Sequence, residues 1–300
     1  MDAVITPTEQ RNPRTLAIDA VGTPEILRMM NAEDARVADA VGAVIPALAK
    51  VVDAAVAAVR AGGRVHYFGA GTSGRLAVLD AAELLPTFHA PDDLVVAHHA
   101  GGMPALLRAV ENVEDSEEGG AADAAEVTGL DVVIGLAASG STPYVAGALR
   151  HARSVGATTA LITSNPNAPL APLADVLIAA DTGPEAIAGS TRLKAGTAQK
   201  MILNAFSTTL MIKLGRTWSN LMVDMVATNN KLRGRMLRIL AEATGADADA
   251  CAAALADADG ELKPALVHLL TGSPVSAARE ALAEADGRVA VALGKLGAPA

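Results

Sequence analysis

The sequence holds almost no aromatic side chains: one tryptophan, two tyrosines and three phenylalanines in 300 residues. With 51% hydrophobic residues and so few rings, its core must be built from alanine, valine and leucine. Alanine favours helix, so a helix-rich protein is expected. Cysteine is nearly absent. The single Cys251 excludes an internal disulfide framework and a cysteine-based zinc site, and in the run DACAAALADA it reads as a small buried hydrophobe. Positive charge is in deficit, with 24 Lys and Arg against 33 Asp and Glu for a net charge of −9. That balance argues against nucleic acid, which wants a basic face. An anionic ligand must then be held by local geometry rather than by the global field. The opening MDAVITPTEQRNPRTLAID lacks the apolar core of a secretory signal. No apolar run approaches the roughly 20 residues that span a bilayer, since Pro46, Lys50 and Asp53 break AVIPALAKVVDAAVAAV. The expectation is a soluble cytoplasmic protein that binds neither nucleic acid nor membrane.

What is present is a regular alternation. Residues 23 to 61 read as helical, with Thr23 and Pro24 as N-cap and first helical residue and Gly62-Gly63 as the stop. Apolar runs then alternate with helical stretches. RVHYFGAG, LVVAHHA, DVVIGLAAS, TTALITS and ADVLIAAD read as five strands. LAVLDAAELL, MPALLRAVE and TPYVAGALRHARSVG read as helices between them. Continuously apolar strands alternating with helices indicate a parallel sheet covered on both faces. The fold class is therefore α/β, a doubly wound parallel five-stranded sheet. The chain is helical again from TRLKAGTAQK onward, and its tail alternates alanine-rich helices with glycine breaks.

The stretch GAGTSGRLAVLDAAE raises the question of a ligand. It satisfies G-x-G-x-x-G and nearly satisfies a nucleotide P-loop. A dinucleotide site needs an acidic residue at the end of the second strand, but that strand ends in His98-His99-Ala100. A P-loop needs Lys followed by Ser or Thr, and the chain has Arg75 and Leu76 there. Both nucleotide readings fail. Gly71, Thr72 and Ser73 remain at the start of a helix, where backbone N–H groups and hydroxyls suit one phosphate. A second loop, ASGST, repeats the arrangement, with Ser139, Gly140, Ser141 and Thr142 before Pro143. Two such loops on neighbouring strands meet where open α/β sheets bind ligands. Strand, hydroxyl-glycine loop and helix, repeated, resemble a sugar isomerase (SIS) domain, a binder of phosphosugars.

The resemblance then narrows. TEQRNPRTLAID, GAGTSGRLAVLDAAELLPTF, AVENVEDSEEGG, GLAASGSTPYVAGAL, GPEAIAGSTRLKAGTAQKMILNAFST and NLMVDMVATNNKLRGRMLRI resemble the N-acetylmuramic acid 6-phosphate etherase family over roughly residues 7 to 240. This implies an N-terminal arm and helix over 1–40, a phosphosugar-binding domain over 41–238 and a small three-helix module over 239–300. It also implies a lyase that needs neither cofactor nor metal. The family's acid/base glutamates map onto Glu83 and Glu114, although residues around both depart from the family's usual wording. An unbroken helix from Gly74 would carry Glu83 about 13 Å along it, so either the helix ends early or a neighbouring subunit's Glu83 enters the site. With interface sites common among SIS domains, a homodimer with its active site near the subunit interface is expected. Read without the family, Glu83 is a solvated helix face and Glu114 part of a solvated charge run.

The third loop, GPEAIAGSTRLK, adds Ser190 and Thr191 before a helix start. Lys194 in the first turn is unfavourable by dipole alone, so it is expected to meet a ligand anion. Glu185 is a candidate for the sugar hydroxyls. Arg75 is expected to pair with a carboxylate as readily as with a ligand. His98 and His99 lack metal-type spacing and read as structural, and Trp218 and Met222, at helical spacing, as core or subunit contact. Two rivals share the fold, an aldose–ketose isomerase and a non-catalytic regulator resembling the glucokinase regulatory protein. Chain length, Glu83 and Glu114 favour the lyase.

Overall fold

The five apolar runs do form one parallel sheet. The structure, a computed structural model, describes residues 6–108, 110–225 and 230–298. They divide into two compact units. One runs to Ala82 and resumes over Asp92–Ser207, and the other takes Glu83–Pro91 and continues from Thr208.

In the first unit, α1 (Thr23–Asp34) and α2 (Val37–Arg60) precede β1 (Val65–Gly69) and α3 (Gly71–Ala82). In the second unit, α4 (Leu84–Phe88) follows directly. The first unit resumes with β2 (Val95–His99), α5 (Gly102–Leu107), α6 (Glu117–Asp123), β3 (Val132–Leu136), α7 (Pro143–Ser154), β4 (Thr158–Thr163) and β5 (Val176–Ala179). The division falls inside α8 (Lys194–Lys213), well before the boundary read from the sequence.

The strand order is β2-β1-β3-β4-β5, parallel throughout. Every residue of β1 and β3 is buried. Successive strand residues point to opposite faces, so both faces of the sheet are covered. The core residues are those composition demanded: Val, Ile, Leu and Ala, with Tyr67, Phe68, Tyr144 and Phe206 as its few rings.

Several local expectations are corrected. The helix over 23–61 is two helices, broken at Ala35 and Arg36, and its N-cap is Gly22 rather than Thr23. A stretch within Thr23–Arg60 has mean hydropathy 1.8 and is long and apolar enough to cross a membrane by length and composition, contrary to the reading of the sequence. A core helix passes the same test, and α2 buries Val41, Leu48, Val51, Val52 and Ala55 while packing on β3 and β5. The helix expected through Glu111 stops at Leu107, and part of the ENVEDSEE run enters α6, whose N-cap Ser116 accepts from Gly119 N–H.

The second unit is helical apart from one hairpin, β6 (Thr217–Trp218) against β7 (Leu221–Met222). Trp218 and Met222 are therefore hairpin residues, not helical ones, and Trp218 packs on the unit's core. After α9 (Asn230–Thr244) come α10 (Ala248–Asp257), α11 (Leu262–Thr271), α12 (Val275–Glu284) and α13 (Val289–Lys295), so the tail carries four helices rather than three. Cys251 is buried among Met236, Leu240, Leu255 and Leu266.

Candidate active site

The strand order changes direction at β1: the chain passes to β2 on one side and then to β3 on the other. The crevice above such a switch point, outside the strands' carboxyl ends, is where open α/β sheets hold ligands. Gly69 of β1 is in register with Leu136 of β3, so the two hydroxyl loops leave the same edge of adjacent strands.

In the first loop the glycines serve backbone packing. A Cβ on Gly74 would lie 2.5 Å from the Gly69 carbonyl oxygen and 2.6 Å from His99 Cδ2, so only glycine lets α3 press against the strands. Because α3 starts at Gly71, Thr72 and Ser73 lie in its first turn, where N–H groups have no intrahelical partner. In the second loop, the Ser139 and Ser141 hydroxyls are 2.8 Å apart and Gly140 has a φ of 70°. Asn165 Nδ2 donates to the Ser139 carbonyl at 2.9 Å and the Thr163 hydroxyl to that of Ala138 at 3.1 Å. These bonds fix the loop from β4's end. Thr142 is the N-cap of α7, yet its side chain makes no capping bond.

A cleft of about 410 Å³ opens beside the first loop, and its walls include Gly71, Arg75, His99, Glu111, Glu114 and Asp115. Glu114 is exposed to this space. Its carbonyl accepts from Tyr144 N–H at 3.0 Å, in the first turn of α7, which ties the glutamate's segment to the second loop. Gly71 is the one predicted loop residue on this cleft's wall; Thr72, Ser73 and the second loop's Ser139, Gly140, Ser141 and Thr142 are not among its lining residues. Among the described residues Arg75 pairs with no carboxylate, which corrects one expectation for it: Nε donates to the Leu106 carbonyl at 2.9 Å and Nη2 to that of Ala105 at 2.8 Å. His99, expected to be structural, has Nδ1 2.8 Å from the Ala100 carbonyl and Nε2 3.3 Å from that of Gly71, and it also lines the cleft.

Glu83 is exposed and occupies the turn between α3 and α4. Pro86 accounts for that break, since it has no N–H for the Ala82 carbonyl and its ring would clash there. Ala82 stands about 17 Å along the helix from Gly71 at 1.5 Å per residue. Glu83 belongs to the second unit and Glu114 to the first.

The third loop is organised by buried charge. Glu185, fully buried, accepts from Lys194 N–H and Ala195 N–H, both at 2.9 Å. It caps α8 rather than facing solvent, and burial raises its pKa despite those bonds. The Lys194 ammonium, also fully buried, donates to Glu33 at 2.7 Å, so it is not the free cation the sequence suggested. Glu33 also takes Arg14. Arg14, then Lys194 and Asn12, hold its carboxyl at about 2 against the desolvation that opposes them. Ser190 and Thr191 are half-buried. A Cβ on Gly196 would touch the Thr191 carbonyl at 3.4 Å and Thr72 Cγ2 at 3.5 Å, so this loop meets the first one. No sequence signal pointed to Glu33, which lies 161 residues from Lys194. His98 stacks on Phe68 with ring centres 4.2 Å apart and bonds His66 at 3.0 Å; burial lowers the pKa of His66 to about 4. Among the described residues no group of three His, Cys, Asp or Glu could hold a metal ion.

Comparison with known proteins agrees with this architecture. Residues 47–153 match the model of the glucokinase regulatory protein N-terminal SIS domain, and residues 105–209 match that of the SIS domain. The chain is 60% identical to an N-acetylmuramic acid 6-phosphate etherase of Thermobifida fusca, over 90% of this chain and 89% of the relative. It is 54% identical to one from Pectobacterium atrosepticum, with 88% of each covered. Among solved structures, a phosphoheptose isomerase from Francisella tularensis superposes with a TM-score of 0.53 at 18% identity, covering 64% of this chain and 100% of that one. That likeness bears on the fold alone.

Proposed function

The chain belongs to the N-acetylmuramic acid 6-phosphate etherase family, and on that premise we propose how its own residues perform the reaction. It cleaves the D-lactyl ether at C3 of N-acetylmuramic acid 6-phosphate and yields N-acetylglucosamine 6-phosphate and D-lactate, a step of cell-wall amino sugar recycling. The observation that supports the site assignment is Glu114 on the wall of the cleft beside the first loop, in a segment whose carbonyl accepts from Tyr144 N–H in the helix that the second loop opens.

The phosphate is held at the first turn of α3 by N–H groups and the hydroxyls of Thr72 and Ser73, with Ser139, Ser141 and Thr142 across the crevice. Ser190 and Thr191 complete the rim. After ring opening, the C2 proton is acidic because it lies α to the aldehyde, and the Glu114 carboxylate takes it. The C2–C3 double bond forms as the C3–O bond breaks. The lactyl oxygen leaves with that electron pair and takes a proton from the Glu83 carboxyl. Water then adds at C3 of the enal. Glu83, now a carboxylate, removes the water's proton, and C2 regains its proton from Glu114. Two carboxyls in opposite protonation states thus serve both halves of the reaction.

Glu83 follows the far end of the helix that begins at the phosphate loop, so a single sugar does not reach from that loop to it in line. We read the enzyme as a homodimer in which Glu83 enters the partner's site. A cytoplasmic location agrees with a phosphorylated substrate and a single cysteine. The test is D-lactate release from N-acetylmuramic acid 6-phosphate, with EDTA present, by wild type and Glu83→Gln. Release by wild type and little by the variant is expected. If wild type releases none while sugar phosphates still raise its Tm, the protein is a sensor or an isomerase.

A further inference from the structure

Arg75 is an unusual cation. It lines the cleft with three carboxylates, those of Glu111, Glu114 and Asp115, yet among the described residues its bonds go to two carbonyl oxygens at the end of α5. Those bonds use Nε and Nη2, so among the described residues Nη1 has no partner. A guanidinium presents its donors in a rigid plane. Fixing one edge on α5 therefore fixes the direction of the other. Arg75 is half-buried as a residue. The cleft thus combines an acidic wall with one oriented donor pair.

The substrate makes that combination meaningful. It carries two anions, and the hydroxyl loops suit the phosphate. The other is the lactyl carboxylate, attached through the ether oxygen at C3, next to the C2 that Glu114 must reach. A carboxylate brought beside Glu111, Glu114 and Asp115 is repelled unless a cation meets it. Lys194 cannot do so, because its ammonium is buried on Glu33. Resting on the etherase reading, we propose that Arg75 binds the lactyl carboxylate through Nη1 and so determines specificity for an acidic leaving group.

The experiment compares kcat/KM for N-acetylmuramic acid 6-phosphate and for its lactyl methyl ester, with wild type, Arg75→Gln and Arg75→Lys. A charge-assisted bond is worth about 10- to 100-fold, so wild type should favour the acid by about that factor. Arg75→Gln should lose it on the acid while its rate on the ester stays within a few-fold, and Arg75→Lys should keep part of the preference. Equal losses on acid and ester would overturn the assignment and leave Arg75 as a tether for α5. If Arg75→Gln does not fold, wild type carries the test alone: preference for the acid, and product inhibition by D-lactate but not by methyl D-lactate, support the contact. Absence of both overturns it. Failure of wild type to release lactate from either substrate would overturn the etherase reading and this contact with it.

Discussion

Glu33 holds two cations at once, and its surroundings make that role costly to remove. The carboxyl is 2% exposed, with Arg14 and Lys194 on its oxygens. Replacing Glu33 by Gln leaves the buried Lys194 ammonium without the carboxylate it donates to, so a loss of about 3–5 kcal/mol is expected in urea unfolding. The pH dependence has a definite sign. The folded carboxyl titrates at about 2 against an ordinary 4.5, chiefly because of Arg14. Its stabilisation is therefore complete above the unfolded value and is lost as pH falls from about 4.5 towards about 2. The gap between wild type and Glu33→Gln should narrow over that interval. For the chemistry, Glu114→Gln should lose exchange of the C2 hydrogen with deuterated water as well as lactate release, whereas Glu83→Gln should lose release but keep exchange. Exchange retained by both variants would refute the division of roles. Legibility at this scale was uneven. The loop hydroxyls announced themselves by adjacency to glycine after an apolar strand. Lys194 misled, because its partner lies far back in the chain and no local pattern encodes that pairing.

The element that positions Glu114 depends on two glycines. A Cβ on Gly147 of α7 would lie 1.9 Å from the Glu117 carbonyl oxygen, and one on Gly120 of α6 would lie 1.8 Å from that of Tyr144. The two helices thus meet backbone to backbone, just beyond the segment whose Glu114 carbonyl takes the Tyr144 N–H. Gly147→Ala must push α6 outward, at about 1–3 kcal/mol of stability. It should also lower kcat with lactate release as the readout, whereas Gly42→Ala, inside α2 with no atom within 4 Å of the added carbon, should leave kcat unchanged and raise stability by up to about 1 kcal/mol through helix propensity. The strands were legible because buried parallel strands are continuously apolar. The α3 break at Glu83 was not located, since LAVLDAAELL reads as one helix and Pro86 stands just beyond it, and the β6–β7 hairpin was missed because four strand residues give no period to read. The charge run hid the start of α6 because its N-cap, Ser116, lies among carboxylates that equally suit a loop.

At the scale of the whole molecule, the proposed supply of Glu83 by a partner has a direct consequence. Each single variant, Glu83→Gln or Glu114→Gln, should be inactive. Mixed after partial unfolding and reassembly, they should recover about a quarter of wild-type activity. Half of randomly paired two-fold dimers are mixed, and each mixed dimer has one intact site. No recovery, with mixed dimers confirmed by native mass spectrometry, would show that Glu83 acts within its own chain. The N-terminal arm carries a different kind of consequence. Asn12 donates to the Pro184 carbonyl and Thr15 to that of Ala186, across 172 and 171 residues of chain. At about 5–20 residues per second, the ribosome delivers that loop roughly 10–30 s after the arm. During this interval Glu33 has Arg14 within reach but not Lys194, and Asn12 and Thr15 lack their carbonyl partners. Docking of the arm is thus a late event in biosynthesis, and a nascent chain stalled before residue 184 should leave it open to protease.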